Sequence, residues 1–444
     1  MCGAWKQSAT GASPGTCQVC QSAFASKGYL CREPQAFRTN LWPAELKDPD
    51  VLSRSHRALI AAVDTSPQEP VDGLNTATEF LAQATLFRLN PGPDPTEAAA
   101  SPEMAGTEFV SGSRRLRYGL VLGPDSATQA EKGQYVARNC IEKMDWESSK
   151  HFTEEPESAT RPLLLVAPRI TELLAIRPSA VPSFLDLTGV VRGTQNSRAD
   201  IRAAAISAAF ILVNRAALEF DTDPDEFDVL EPRVFFQNGA EAGPLLVVAD
   251  RLLNGSGFCR RLSEHIILQT LIDSILDHPG EYPRKLLTQE HEKECTAACY
   301  KCLLRYGNRA YHALLDWRLG LAFLEVLRSS AFTAGLTNGH ASPSTDRWDQ
   351  YVKTAVGDFV ARFPDTKETP YGTITALSLP GGPSPKQWLI VHSFWAREVN
   401  VLKGGRLDVA IEKVLANSEQ VEFISAFDLM RRPVQVYRKM KGLV

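Results

Sequence analysis

Apolar residues recur on almost every side of a 3.6-residue helix along ADIRAAAISAAFILVNRAALEF (199–220). A helix with no polar face belongs inside a core. Ser197 with Asp200 makes a capping-box-like start for it, with Asp where Glu is usual. Two short apolar runs, LLLVAP (163–168) and PLLVVAD (244–250), are bounded by turn residues and predict buried strands. After the NGSGF turn, periodicity predicts a helix through about Asp277, and a further helix from about Ala310 to Arg328. Strands alternating with helices over 161–332 predict an α/β core.

The flanks read differently. Residues 1–45 carry Gly, Ser and Cys without a long periodic segment. Residues 46–160 mix short apolar runs with loops and read as partly β. Within them RRLRYGLVLG (114–123) suits a strand or hairpin, and the Pro/Ala-rich PGPDPTEAAASPEMAG (91–106) is expected to be a mobile loop. TAGLTNGHASPSTD (333–346) reads as a linker. Beyond it, 345–444 has its own alternation: a helix over 349–363, a strand at QWLIVH (387–392), a helix at DVAIEKVLA (408–416) and a strand at VEFISAF (421–427). The expected fold class is therefore mixed, α/β or α+β. Metal is expected to stabilise its core, with a ribbon-like N-terminal segment and a smaller C-terminal α/β unit.

Composition narrows the function. The chain has 444 residues, 44% hydrophobic and 23% charged, which is ordinary for a globular protein of two or three domains. The net charge of −4 gives no global attraction to nucleic acid, so any such contact needs a local patch. No 18 consecutive residues are apolar, and MCGAWKQSATG lacks the apolar centre of a signal peptide. A cytoplasmic protein with no membrane partner is the expectation. No G-x4-G-K-[ST] phosphate loop occurs, so ATP hydrolysis by this chain alone is not expected. DEFD (225–228) imitates a helicase DExD box, but its lead-in EFDTDP is not the apolar strand such a box ends. The six acids among 219–228 could hold a divalent ion; a solvated loop is the simpler account. Cys140 reads as a core thiol, and His392 has no visible catalytic partner.

The cysteines carry the sharpest signal. Cys295, Cys299 and Cys302 form C-x3-C-x2-C, a spacing that can wrap one zinc ion from a single turn. In a reducing compartment, clustered thiols suit metal better than disulfides. The fourth ligand is sought at His312 first, with Cys259 as the alternative. Cys2, Cys17, Cys20 and Cys31 resemble a zinc ribbon whose first knuckle is cut short. Four-ligand sites leave no open position, so both clusters point to structural zinc rather than zinc catalysis.

Around the second cluster, Lys301, Arg305, Arg309 and Arg318 face one acid, Asp316, with Tyr300, Tyr306, Tyr311 and Trp317 interleaved. Bases with aromatics suit a nucleic-acid backbone and its unstacked bases. Lys301, Arg305, Arg309 and Tyr306 are the candidate DNA contacts, while Trp317 and Arg318 are expected to pack inward. Gly255 and Gly257 could let backbone N–H groups meet a phosphate at a helix start, or could simply make a tight turn.

The order of these motifs resembles the helicase-associated domain at the C-terminus of MrfA-type DNA-repair helicases, and more closely the B subunit of the DISARM anti-phage system. The resemblance rests on the clipped ribbon, CREPQAFRTN, LEFDTDPDEF, VADRLLNGSGF and CTAACYKCLLRYGNRAYHALLDWRLGLAFL, and on the ending WLIVHSFW and FDLMRRPVQVY. In that group a Tyr, Asn, His and Leu-Asp pattern follows the cysteines; here it is Tyr306, Asn308, His312, Leu315 and Asp316. The resemblance implies a zinc-stabilised, non-catalytic partner of a superfamily 2 helicase, in a hetero-oligomer that binds DNA. A nuclease or other metal-dependent hydrolase is the alternative reading.

Overall fold

The computed structural model describes residues 30–32, 59–62, 69–90, 163–190, 197–237, 239–277, 282, 291, 294–337, 345, 348–380, 386–398, 404–417 and 419–443. The expected loop at 91–106, the strand or hairpin at 114–123 and most of the 333–346 linker lie outside them. The chain divides into two compact units. Among described residues, the smaller takes 30–32, 59–62, 83–90 and 163–171. In it β1 (Leu30–Arg32) runs parallel to the start of β5 (Leu163–Pro178), and β2 (Leu59–Ala62) runs antiparallel to the end of β4 (Thr76–Asn90).

The larger unit holds the rest. A turn at Gly73 joins β3 (Glu69–Val71) to the start of β4. β6 (Phe227–Val229), β7 (Arg233–Gln237) and the second half of β5 all pair antiparallel with β8 (Ala240–Asp250). The apolar run 244–250 is thus the buried end of a longer strand, Leu246 and Val248 facing the core.

Four helices build on this sheet: α1 (Ala199–Phe220), α2 (Phe258–Leu262), α3 (His265–Asp277) and α4 (Trp317–Arg328). The all-round apolar pattern of α1 has the expected consequence, since Ile201, Ile206, Ile211, Leu212 and Val213 are all within 1% of complete burial. Burying each such side chain stabilises the fold by roughly 1.5–3 kcal/mol. Among the described residues, α1 is also the one helix long and apolar enough to cross a membrane, and 89% of its most apolar window is buried inside the protein. Its small residues let α4 approach closely. A Cβ placed on Gly320 would lie 2.8 Å from Ile211 Cδ1 and 3.0 Å from the Ala208 backbone nitrogen.

A second sheet has the order β12-β11-β10-β9. Its elements are α5 (Trp348–Arg362), β9 (Lys367–Tyr371), β10 (Ile374–Ser378), β11 (Lys386–Val391), α6 (Arg406–Ala416), β12 (Gln420–Ser425), α7 (Ala426–Arg431) and α8 (Pro433–Met440). β11 and β12 are parallel, connected through α6, and the other pairs are antiparallel. Trp348, Phe359, Trp388, Ile424 and Val436 form an apolar cluster of their own beneath it. The fold class is mixed, with two sheets and eight α-helices among the described residues.

Three local expectations need correction. No capping box opens α1: Arg198 is its N-cap without a side-chain cap bond. The Asp200 carboxylate is instead drawn into ion pairs with Arg198 and Arg397, at 3.4 and 3.6 Å. The helix expected from Phe258 to Asp277 is two, broken where Ser263 turns its hydroxyl onto the Arg260 carbonyl (2.6 Å). The helix expected from Ala310 begins at Trp317, because the Asp316 carboxylate accepts from the N–H groups of Arg318 and Leu319 and caps it there.

Candidate metal centre

His291 and Glu294 are helical, and Cys295 N–H donates to the His291 carbonyl at 2.8 Å. That i,i+4 spacing puts the imidazole and the Cys295 thiol on one face. The chain then turns tightly. The Cys299 carbonyl accepts from the N–H groups of Cys302, Leu303 and Leu304 at 3.0, 3.1 and 3.0 Å, which folds Cys302 back toward Cys295.

The result is a cluster of four donors, His291, Cys295, Cys299 and Cys302, whose ligand atoms all lie within 4.8 Å of one another. Cys295 Sγ and Cys302 Sγ are 3.9 Å apart, and Cys299 Sγ lies 3.5 Å from His291 Nε2. Cys295 and Cys302 are buried and Cys299 is half-buried; all three thiols are free. The neighbouring Cys302 sulfur, then burial, push the Cys295 thiol far above its ordinary value. A bound cation reverses that preference, because the thiolate is the metal ligand. These four groups can hold a metal ion. Behind them Trp317, fully buried, sets its ring 5.7 Å from that of His291, and its backbone N–H donates to the Ala297 carbonyl.

The fourth donor is therefore His291, and both sequence candidates are displaced. His312 Nε2 lies 2.9 Å from the Arg305 carbonyl and 3.0 Å from Asn308 Oδ1. Both partners are acceptors, so this nitrogen carries a proton and is spent on the loop. Asn308, buried, also accepts from Arg305 N–H and donates to the Leu303 carbonyl. The Asn308–His312 pair thus shapes the knob. Cys259 sits in α2, where its thiol lies 3.6 Å from the Val248 carbonyl and is pushed up by burial and by Asp250. A signal for His291 existed: H-x3-C on a helical turn just before the cysteine run. Cys2, Cys17 and Cys20 lie outside the described residues, as does the side chain of Cys31, whose backbone belongs to β1.

The basic-aromatic face is less basic than its sequence. Lys301 pairs with Glu294 at 2.7 Å, both side chains largely exposed, an interaction worth little in water. Arg305 is turned inward. Its guanidinium donates to Asn214 Oδ1 and lies 3.8 Å from Asp225. Asn214 donates on to the Tyr282 hydroxyl (2.7 Å), which donates to the Cys302 carbonyl (3.4 Å). Arg309 lies over the Tyr306 ring at 4.5 Å, and Tyr300 and Tyr306 are 75% and 78% exposed. Arg318 covers Trp317 and Tyr351, so both inward residues are placed as expected. Asp225 serves Arg305 and Asp223 caps its own turn. Among described residues, the acids of 219–228 form no metal-type group.

The glycine turn already holds its anion. Asp250, fully buried, accepts from Ser256 N–H at 2.7 Å and Cys259 N–H at 2.9 Å. The amides that sequence offered to a phosphate are consumed by the chain's own carboxylate. Both glycines have φ of +83°, and a Cβ on Gly255 would lie 2.4 Å from Glu172 Cγ. Asp250→Ala strands two donors, the buried Cys259 N–H and the half-buried Ser256 N–H, and is expected to cost roughly 3 kcal/mol, at about 1–3 kcal/mol per group, as read by denaturant unfolding. Unchanged stability would show that water replaces the carboxylate freely. His392 is buried, accepts from Phe394 N–H at Nδ1, and is held neutral by burial that pulls its pKa down to about 3.

No protein-family model matches the chain, and no curated protein matches it. Among solved structures, the chain is similar to one described as the crystal structure of DUF1998 helicase MrfA bound to DNA, at 8% identity and a TM-score of 0.29. The likeness covers 61% of this chain and 24% of that one, so this chain spans about a quarter of that chain's length.

Proposed function

We propose that the chain is a zinc-stabilised, non-catalytic accessory subunit of a cytoplasmic, DISARM-like anti-phage complex, in which it partners a superfamily 2 helicase and helps bind or gate DNA. One observation carries the zinc part. Tetrahedral zinc with bonds of about 2.3 Å to sulfur and 2.0 Å to nitrogen sets donor–donor edges of about 3.8 and 3.5 Å. Two of the cluster's six edges, Cys295–Cys302 and Cys299–His291, are 3.9 and 3.5 Å, and all six lie within 4.8 Å. Three thiolates and one imidazole would fill the coordination sphere. The ion's contribution is then to fold the knob, with no open position for a water. The helicase and DNA parts rest on the motif order, and the exposed Tyr300, Tyr306 and Arg309 suit stacking on unpaired bases.

The test is co-expression of the tagged chain with a superfamily 2 helicase from the same genome. Stoichiometric co-elution, with DNA affinity above that of the helicase alone, is the expected result. Separate elution with the helicase's affinity unchanged would overturn the reading.

A further inference from the structure

In the C-terminal part of the chain, positive charge is most concentrated on α8 and its flanks. From Leu429 to Leu443 the chain reads LMRRPVQVYRKMKGL, with five bases, Arg431, Arg432, Arg438, Lys439 and Lys441, and no acid. All five are exposed. The neighbouring acids are already engaged: Asp365 by Lys441 (2.7 Å) and the Tyr437 hydroxyl (2.6 Å), Glu422 by Lys386 (3.4 Å), and Asp428 loosely by Arg432 (3.9 Å). Arg431 donates to the Leu315 carbonyl. Arg438 and Lys439 have no acidic partner among the described residues, and Lys439 lies over the Trp388 ring at 5.2 Å. Val434, Gln435, Gly442 and Leu443 are also exposed.

The other face of α8 is occupied. Val436 is buried in the second apolar cluster, and Tyr437 stacks on Phe363 at 4.2 Å. An amphipathic basic helix enters a lipid surface through its apolar face, and here that face is inside the protein. Protein interfaces favour buried aromatic anchors and are depleted in Lys; this surface exposes two aliphatic side chains, Val434 and Leu443, no exposed aromatic, and a dense set of cations. Bases at a helix C-terminus also complement its dipole, but that role needs neither Arg432 at the N-cap nor so many bases.

We infer that α8 and its flanks form a nucleic-acid contact surface, in which Arg432, Arg438 and Lys439 bind backbone phosphates. This deepens the DNA part of the reading above but is independent of the helicase. The surface is sequence-independent in its chemistry and salt-sensitive in its strength.

The experiment uses the full chain alone, with a fluorescent 20-nucleotide single strand and a 20-base-pair duplex, titrated from 50 to 200 mM salt. R432Q/R438Q/K439Q is expected to lower affinity at least tenfold at low salt. It should also flatten the log–log salt slope by roughly 2 to 3, at about 0.7–0.9 per lost phosphate contact. K353Q/K367Q/K413Q removes the same charge from exposed sites elsewhere in the unit and is expected to leave the slope intact. Thermal melting within a few degrees of wild type shows that the triple variant is folded, and the charge-keeping R438K/K439R should retain binding. Wild-type slopes in the α8 variant, equal flattening in the control, or no binding by the parent chain would each overturn the inference. Failure to co-elute with a helicase would not.

Discussion

In the zinc-loaded protein, His291→Ala is expected to release the metal and melt the knob between His291 and Asp316. Structural zinc contributes an apparent 10–16 kcal/mol to a site of this kind. Loss of even a third of that, about 4 kcal/mol, would lower the melting temperature by roughly 10 °C in a unit of this size. His291→Cys should keep the metal, since four thiolates also form a closed tetrahedral site. His312→Ala should keep the metal too, because that ring bonds Arg305 and Asn308 instead. The measurements are zinc content by elemental analysis and melting with and without a chelator. A His291→Ala protein with the parent's full zinc content and unchanged melting would remove His291 from the site.

The second large effect is expected at Gly320, in the crossing of α1 and α4. Ala at this position brings a methyl group against Ile211 Cδ1, Ser207 Cβ and the Ala208 nitrogen, all within 3.0 Å. The last of these is helix backbone and cannot rotate away. Overpacking of a close-packed core costs roughly 1–3 kcal/mol for small additions. Gly320→Ala should fall in that range, and Gly320→Leu should exceed it or leave the protein insoluble. Urea unfolding of the Ala variant decides the point: a midpoint equal to that of the parent would mean that the helices separate without strain.

What the sequence made legible follows from the length of its patterns. α1 occupies 199–220 as its unbroken apolar periodicity predicts, and the starts and ends of β11, α6 and β12 fall within two residues of their apolar runs. Periodicity could not locate the start of α4. The apolar spacing continues through Ala310–Leu315, but the boundary is set by single bonds from Asp316 and by the Asn308–His312 pair. The cysteine run was legible and its fourth partner was not: His312 and Cys259 were the candidates, while the imidazole that joins the cluster lies one helical turn before Cys295. The basic excess of 301–309 is smaller than the sequence suggests for a related reason. Asp225, far upstream in sequence, is brought against Arg305 only by the fold. Likewise the anion that fills the glycine turn is Asp250, a residue read only as the end of a strand.

The bonds from Cys302 through Tyr282 and Asn214 to Arg305 run from the metal cluster to the middle of α1 and back to the knob. Opening any member of such a chain of donors and acceptors leaves its part-buried neighbours short of a partner, so the bonds tend to break together. The knob is therefore not a detachable bead on the surface. It and the central helix form one cooperative unit, and losing the ion would loosen the heart of the larger unit before its second sheet.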